Sequence, residues 1–179
     1  MSVLQGKRCY LSGPIEHSTN DDWRDIPIKV LVEEFGVDLL DPFSDPKQQW
    51  AKILNAAREE GIAGGLDAII PEVDKTLEGI AHKFVRKDLT WVSHSDFLIA
   101  YLPKGIATTG THHELIDSVD NKNPTLLVCP EGRYNVPFWY WGFNTKRFGS
   151  WDGLFKYLRE VENYQHKDDD RWSYVYDLL

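Results

Sequence analysis

Cysteine is scarce, with two in 179 residues. Cys9 and Cys129 both lie within apolar runs that read as central strands, so buried, reduced thiols are expected and a disulfide is unneeded. A basic stripe is also missing: 28 acidic residues against 20 basic ones give a formal charge of −8, and no Lys/Arg run could track a phosphate backbone. Polymeric nucleic acid is therefore not an expected partner. No apolar run approaches the roughly 18 residues of a membrane span, and the first eight residues lack the basic flank and long apolar stretch of a signal peptide. A soluble, cytoplasmic protein without a membrane partner is expected. There is no repeat, low-complexity tract or second domain; a chain of this length can bury about two thirds of its unfolded surface in one core. What is plentiful is aromatic: 13% of the residues, with seven Trp, enough for packing and for surfaces that stack on rings.

Short apolar runs alternate with helical spacing along the chain. Arg8–Ser12, closed by Gly13-Pro14, reads as strand one. Thr19, Asn20 or Asp21 can cap a following helix that Gly36 ends, with Pro27 moving its start toward Ile26. Residues 37–40, followed by Asp41-Pro42, read as strand two, and a helix is expected over 47–60. Val73, Leu77, Ile80, Phe84, Leu89 and Val92 recur at helical spacing, predicting one long helix over Pro71–Ser93. Residues 97–102 and 125–129 are near-continuous apolar strands of the kind buried on both faces of a parallel sheet, joined by a helix over 112–119. After Pro130 the pattern fades into the aromatic run 138–143, a helix over 151–163 and a charged tail.

Glu114 stands where the loop after an apolar strand becomes a helix, reading Gly110-Thr111-His112-His113-Glu114-Leu115. In an open parallel α/β sheet, ligands sit beyond the carboxyl ends of the strands, so an acid in the first turn of such a helix faces the crevice. It can serve as nucleophile, base or metal ligand. The bland alternative is a solvated acid complementing the helix dipole. A metal site on His112-His113-Glu114 is disfavoured, because adjacent helical residues point about 100° apart whereas helix-borne zinc pairs use i and i+4. Gln48 and Gln49, after strand two, carry amides able to pair with both donor and acceptor edges of a ligand, or form an exposed helix start. Phe43, Trp50, Trp139 and Trp141 are candidates to stack on a planar ring, or to serve as core or subunit contacts.

Tyr10-Leu11-Ser12-Gly13, then Lys87-Asp88-Leu89 set eight residues before Ser95-Asp96-Phe97, then Gly-x-x-x-Glu-Leu over 110–115, then Trp141-Gly142 follow one another in the chain. In that order they resemble the nucleoside 2-deoxyribosyltransferase family and its neighbours, the deoxynucleoside monophosphate N-glycosidases. The likeness runs over residues 8–145 and is poor over 49–78. It implies a single α/β domain over 1–179 with a flavodoxin-like, Rossmann-like parallel sheet flanked by helices, the part after 145 being a helix and a charged tail. It implies that Glu114 attacks the anomeric carbon of a 2-deoxyribosyl group, that a nucleobase leaves, and that the sugar passes to another base or to water. Tyr10 would orient Glu114 and Asp88 would help protonate the base. Ser12, Gly13, Gln49, Asp96, Thr108, Gly110 and Thr111 would meet substrate. The implied partners are a nucleoside or nucleotide and a free nucleobase, with no cofactor and no metal, in a homo-oligomer whose run 138–143 supplies a subunit contact.

The chemistry agrees on independent grounds. N-glycosidic cleavage passes through an oxocarbenium-like state that a carboxylate on one sugar face can stabilise and trap, and the leaving base needs a proton from a second acid, Asp88 or Asp96. Asp96 has an alternative role, accepting backbone N–H bonds at the strand entrance. The chain departs from the family's pattern at Thr108, where transferases carry an Asp six residues before the catalytic Glu, and at Glu16, near where monophosphate-cleaving relatives carry an Arg. The second departure favours an unphosphorylated nucleoside. The first keeps open a different class, a nucleotide-binding module without turnover.

Overall fold

The computed structural model describes residues 2–15, 21–44, 59, 71–106, 108–142, 144–173 and 175–176. The helix expected over 47–60, with Gln48, Gln49 and Trp50, lies outside the described residues, as does Glu16.

Five strands, β1 (Arg8–Ser12), β2 (Asp38–Leu40), β3 (Phe97–Tyr101), β4 (Thr125–Val128) and β5 (Lys146–Phe148), form one sheet in the order β2-β1-β3-β4-β5. Every pairing is parallel. This is the flavodoxin-like order, whose topological switch point lies between β1 and β3. Parallel neighbours need crossovers, supplied among the described residues by α1 (Asp25–Glu33), α2 (Pro71–Ser93) and α3 (Thr109–Asp120), while α4 (Trp151–Glu162) follows the last strand and packs back on the sheet.

Strand side chains alternate in direction, which sorts the core into two layers. Cys9, Leu11, Phe97, Ile99, Leu126 and Val128 face Leu31 of α1 and Leu154 and Leu158 of α4. Tyr10, Leu98, Ala100 and Leu127 face Val92 of α2 and Leu115 of α3. Both cysteines are buried free thiols, one in each layer. No helix among the described residues is long and apolar enough to cross a membrane.

One boundary follows the sequence reading closely, and others differ in ways that matter. α1 begins at Asp25, so Pro27 falls in its first turn, where a missing N–H costs no helical bond. α3 begins at Thr109, a turn earlier than expected. Glu114 is therefore in the second turn, away from the exposed N–H groups that would make it a mere dipole partner. Beyond residue 145, Lys146–Phe148 adds an edge strand before α4, and Trp172, after the charged stretch, is fully buried, its Nε1–H donating to Tyr157 Oη at 2.9 Å. β5 is too short and too basic to show an apolar pattern, and Trp172, with Val175 and Tyr176, forms a short buried cluster behind a charged stretch.

Candidate active site

Tyr10 and Ser12 are two residues apart on β1, so both point to the face that carries α2 and α3. There they meet Glu114. Tyr10 Oη donates to Glu114 Oε1 at 2.8 Å, and Ser12 Oγ donates to Glu114 Oε2. The carboxylate is thus held on both oxygens by hydroxyls from the end of the central strand, beside the switch point. Burial pushes the Glu114 carboxyl above its usual range, while the Ser12 and Tyr10 hydrogen bonds and the charges of Arg24 and His113 pull the other way. The Tyr10 phenol is pushed well up by its own burial and by the nearby charges of Glu114, Asp88 and Asp41. It stays a neutral donor.

Asp88 reaches this group because α2 runs antiparallel to the strand that follows it. Eight residues before Asp96 is about 12 Å of helix, enough to climb back from the strand entrance to the level of Tyr10. Asp88 is only 8% exposed, with Lys87 Nζ 3.8 Å from its Oδ1. Asp96 is not brought there. Its Oδ2 accepts the Arg8 N–H at 2.6 Å, at the amino end of β1 and β3, so the strand-entrance role is the one the geometry supports.

The remaining expected residues separate by what surrounds them. Ser12 is engaged by Glu114 rather than turned to open space. Gly13 is needed for packing, since a Cβ there would lie 2.5 Å from Trp23 Cζ2. Gly110 is the opposite case: a Cβ would meet nothing within 4 Å among the described residues, so none of their atoms requires a glycine in that helical turn. Thr111 is buried in α3. Thr108 precedes α3 without a side-chain cap; its carbonyl accepts from His112 Nδ1 at 2.7 Å, with its hydroxyl 3.3 Å from the same nitrogen. That bond fixes the proton on Nδ1 and leaves Nε2 as acceptor in the neutral ring. Thr108, Thr109, His112, Asn135 and Tyr140 line a cavity of about 480 Å³ between the loops after β3 and β4. Of the aromatic candidates, Trp139 is 77% exposed, Trp141 carries the Arg147 guanidinium 4.0 Å above its ring, and Phe43 lies under Arg24 at 5.0 Å; Phe138, next to them, is 84% exposed.

Arg24 and Asp41 escaped the sequence reading. Arg24 is 3% exposed, and its Nε lies 3.2 Å from Asp41 Oδ1, just past the end of β2. The available signals were a lone cation between Trp23 and an apolar helix, and an acid at the carboxyl end of a parallel strand.

The fold and this group define a class: a doubly wound α/β protein with a hydroxyl-held carboxylate at the carboxyl edge of its sheet. No protein-family model matches the chain, and no curated protein matches it by sequence. Among solved structures, the fold is similar to that of a 2-deoxyribosyltransferase from Bacillus psychrosaccharolyticus, with a TM-score of 0.57 and 18% identity over 84% of this chain and 95% of that one. A CMP N-glycosidase from Clostridium botulinum aligns with a TM-score of 0.46 and 15% identity, over 88% of this chain and 99% of that one. The first likeness is one of fold, and it is the fold that the sequence motifs implied.

Proposed function

We propose that the protein cleaves the N-glycosidic bond of a 2-deoxyribonucleoside and transfers the sugar to a second nucleobase. The observation that carries this reading is the pair of hydroxyls, Tyr10 and Ser12, holding both oxygens of Glu114 at the carboxyl edge of β1. A carboxylate so held has its attack direction restricted, and the two hydroxyl donors offset part of the cost of burying its charge. In the first step the C1′–N bond breaks with its electron pair going to the base. Asp88 delivers a proton to that base, and a Glu114 oxygen bonds to C1′ as an ester. In the second step a nitrogen of the incoming base bonds to C1′, the ester bond breaks, and Asp88 recovers the proton. The oxocarbenium character of both steps is stabilised by the same carboxylate. Thr108, Thr109 and His112 face the space where the rest of the substrate would lie.

The exposed aromatics Phe138 and Trp139 support a homo-oligomeric contact, to be read by sedimentation of wild type against a Phe138→Ser, Trp139→Ser variant.

The deciding experiment incubates the protein with 2-deoxyribonucleosides and a second free base, with chromatographic detection. An exchanged nucleoside supports transfer, and free base without exchange replaces the acceptor by water. No product under either condition refutes the enzymatic reading, and thermal stabilisation by nucleoside without turnover would then mark a binding module. A 2-fluoro sugar analogue should add its glycosyl mass at Glu114.

A further inference from the structure

A buried guanidinium is costly unless its donors are satisfied. Arg24, at the end of a 3₁₀ turn over Asp21–Arg24, is held from several sides. Its Nη1 donates to the Pro14 carbonyl at 3.2 Å, its Nη2 to the Gly13 carbonyl at 3.4 Å, and its Nε to Asp41 at 3.2 Å. Its plane lies 4.1 Å from the Trp23 ring centre and 5.0 Å from that of Phe43. The two carbonyls belong to the residues directly after Ser12. The register of β1 with β2 ends at the pair Tyr10 and Leu40 among the described residues, so beyond that point β1 is paired on its β3 side alone, through Ser12 with Ala100. Arg24 takes over, tying the Gly13-Pro14 corner to Asp41, which follows Leu40. The planar fork suits this bridging task as a lysine's point charge would not.

We propose that Arg24 is a positioning residue for Glu114: it clamps the corner after β1 so that the Ser12 hydroxyl stays on the carboxylate, and it supplies a buried positive charge beside it. The groups acting on Glu114 are Ser12 and Tyr10 from β1, Arg24, and His113 on α3, while Asp41 and Asp88 act on Tyr10. Loss of the Ser12 bond and loss of the Arg24 charge both move the Glu114 carboxyl in one direction, upward. The inference concerns the site used in the proposed function, but its main test does not depend on turnover.

That test follows the carboxyl carbon of Glu114 by ¹³C NMR across pH, assigned by its absence in Glu114→Gln, in wild type, Arg24→Lys, Ser12→Ala and the double variant. Arg24→Lys keeps the charge and loses the clamp, so the Glu114 midpoint should shift upward, as it should in Ser12→Ala. The double variant should shift no further than Ser12→Ala, because the clamp acts through that hydroxyl. Arg24→Met, which also removes the charge, should shift beyond Arg24→Lys; where Arg24→Met fails to fold, the cycle with lysine decides alone. A midpoint unmoved in Arg24→Lys, or effects that add fully in the double variant, overturns the proposal. With a working transfer assay, Arg24→Lys should lower kcat about tenfold, the factor for one hydrogen bond to a charged group, with KM within about twofold. A protein that transfers no sugar fails the proposed function while leaving the NMR cycle to judge the clamp.

Discussion

Two carboxylates stand at opposite ends of the same pair of strands, and both look like candidates in the sequence. At the amino end, Asp96 accepts a backbone N–H from Arg8, with the Arg8 guanidinium 3.6 Å away and half open to solvent. At the carboxyl end, Glu114 is held by hydroxyls from Tyr10 and Ser12, and its burial opposes ionisation. The first arrangement satisfies backbone that the strand entrance would otherwise leave unpaired. The second uses two side-chain donors to keep one carboxylate in place in a setting that disfavours its charge. Strained electrostatics of that sort mark a functional site more often than a structural one, whereas a carboxylate capping backbone at a strand entrance marks structure.

The widest separation between the two acids should appear in turnover. Glu114→Ala removes the covalent step and should lower sugar transfer by on the order of 10³-fold or more, as loss of a nucleophile does elsewhere. Asp96→Asn should leave kcat within about threefold and lower stability by about 1 kcal/mol, the scale of one hydrogen bond, or about 2–4 °C in Tm for a chain of this size. Equal losses of activity from both would erase the distinction. Tyr10→Phe comes next. It deletes one donor to a charged acceptor, worth about 1.5–3 kcal/mol, so kcat should fall about 10- to 100-fold. The Ser12 hydroxyl remains in that variant, so activity should be reduced rather than abolished.

Much of this comparison was legible beforehand. The parallel sheet follows from apolar runs such as Phe97–Tyr101, and the long helix Pro71–Ser93 from its period; neither needs tertiary knowledge. The meeting of Tyr10, Ser12 and Glu114 was legible in part, because strand alternation puts residues 10 and 12 on one face and the crevice rule puts residue 114 near it. Which donor goes to which oxygen depends on how α3 packs, and no local pattern carries that. Asp96 was open between two roles because an acid beside the Lys87-Asp88-Leu89 motif invites a catalytic reading, although its place before strand 97–102 puts it at the amino end, opposite the crevice. Arg24 was missed because a buried cation is recognisable only once its carbonyl partners, Pro14 and Gly13 in the loop after β1, are in place. β5 was missed because an edge strand of three residues is defined by its neighbour, not by its own composition.

A smaller effect sharpens the contrast between space kept for protein and space kept for ligand. Gly13 is filled over by Trp23, whereas Gly110 faces nothing within 4 Å among the described residues. Gly110→Ala relieves the cost of glycine inside a helix and should raise stability by about 0.5–1 kcal/mol. If substrate passes over that turn, the same methyl should raise KM. Chemical denaturation and initial rates measure the two sides, and an unchanged KM would remove Gly110 from the site. Gly13→Ala should instead lower stability, because the Trp23 ring has to move.

The finest test asks whether Glu114 is held against its own preference. Burial is the largest influence on it and places its folded-state pKa above the usual 4.5, with the Ser12 and Tyr10 bonds offsetting part of that. An acid whose pKa is raised on folding binds more protons folded than unfolded through the interval between the two values, so its contribution to stability is intact below the unfolded pKa and is lost as pH rises through the folded one. The wild type should therefore lose ground to Glu114→Gln as pH climbs from about 4 to 7. Gln keeps an acceptor for Tyr10 and offers an NH₂ to the Ser12 oxygen, so the packing changes little. Calorimetric Tm values for both proteins across that range should converge at the acid end and separate at the neutral end, with the variant higher. A gap that is constant with pH, or one that favours wild type at neutrality, would mean that the two hydroxyls fully compensate the burial and that Glu114 is no more strained than Asp96 at the other end of the strands.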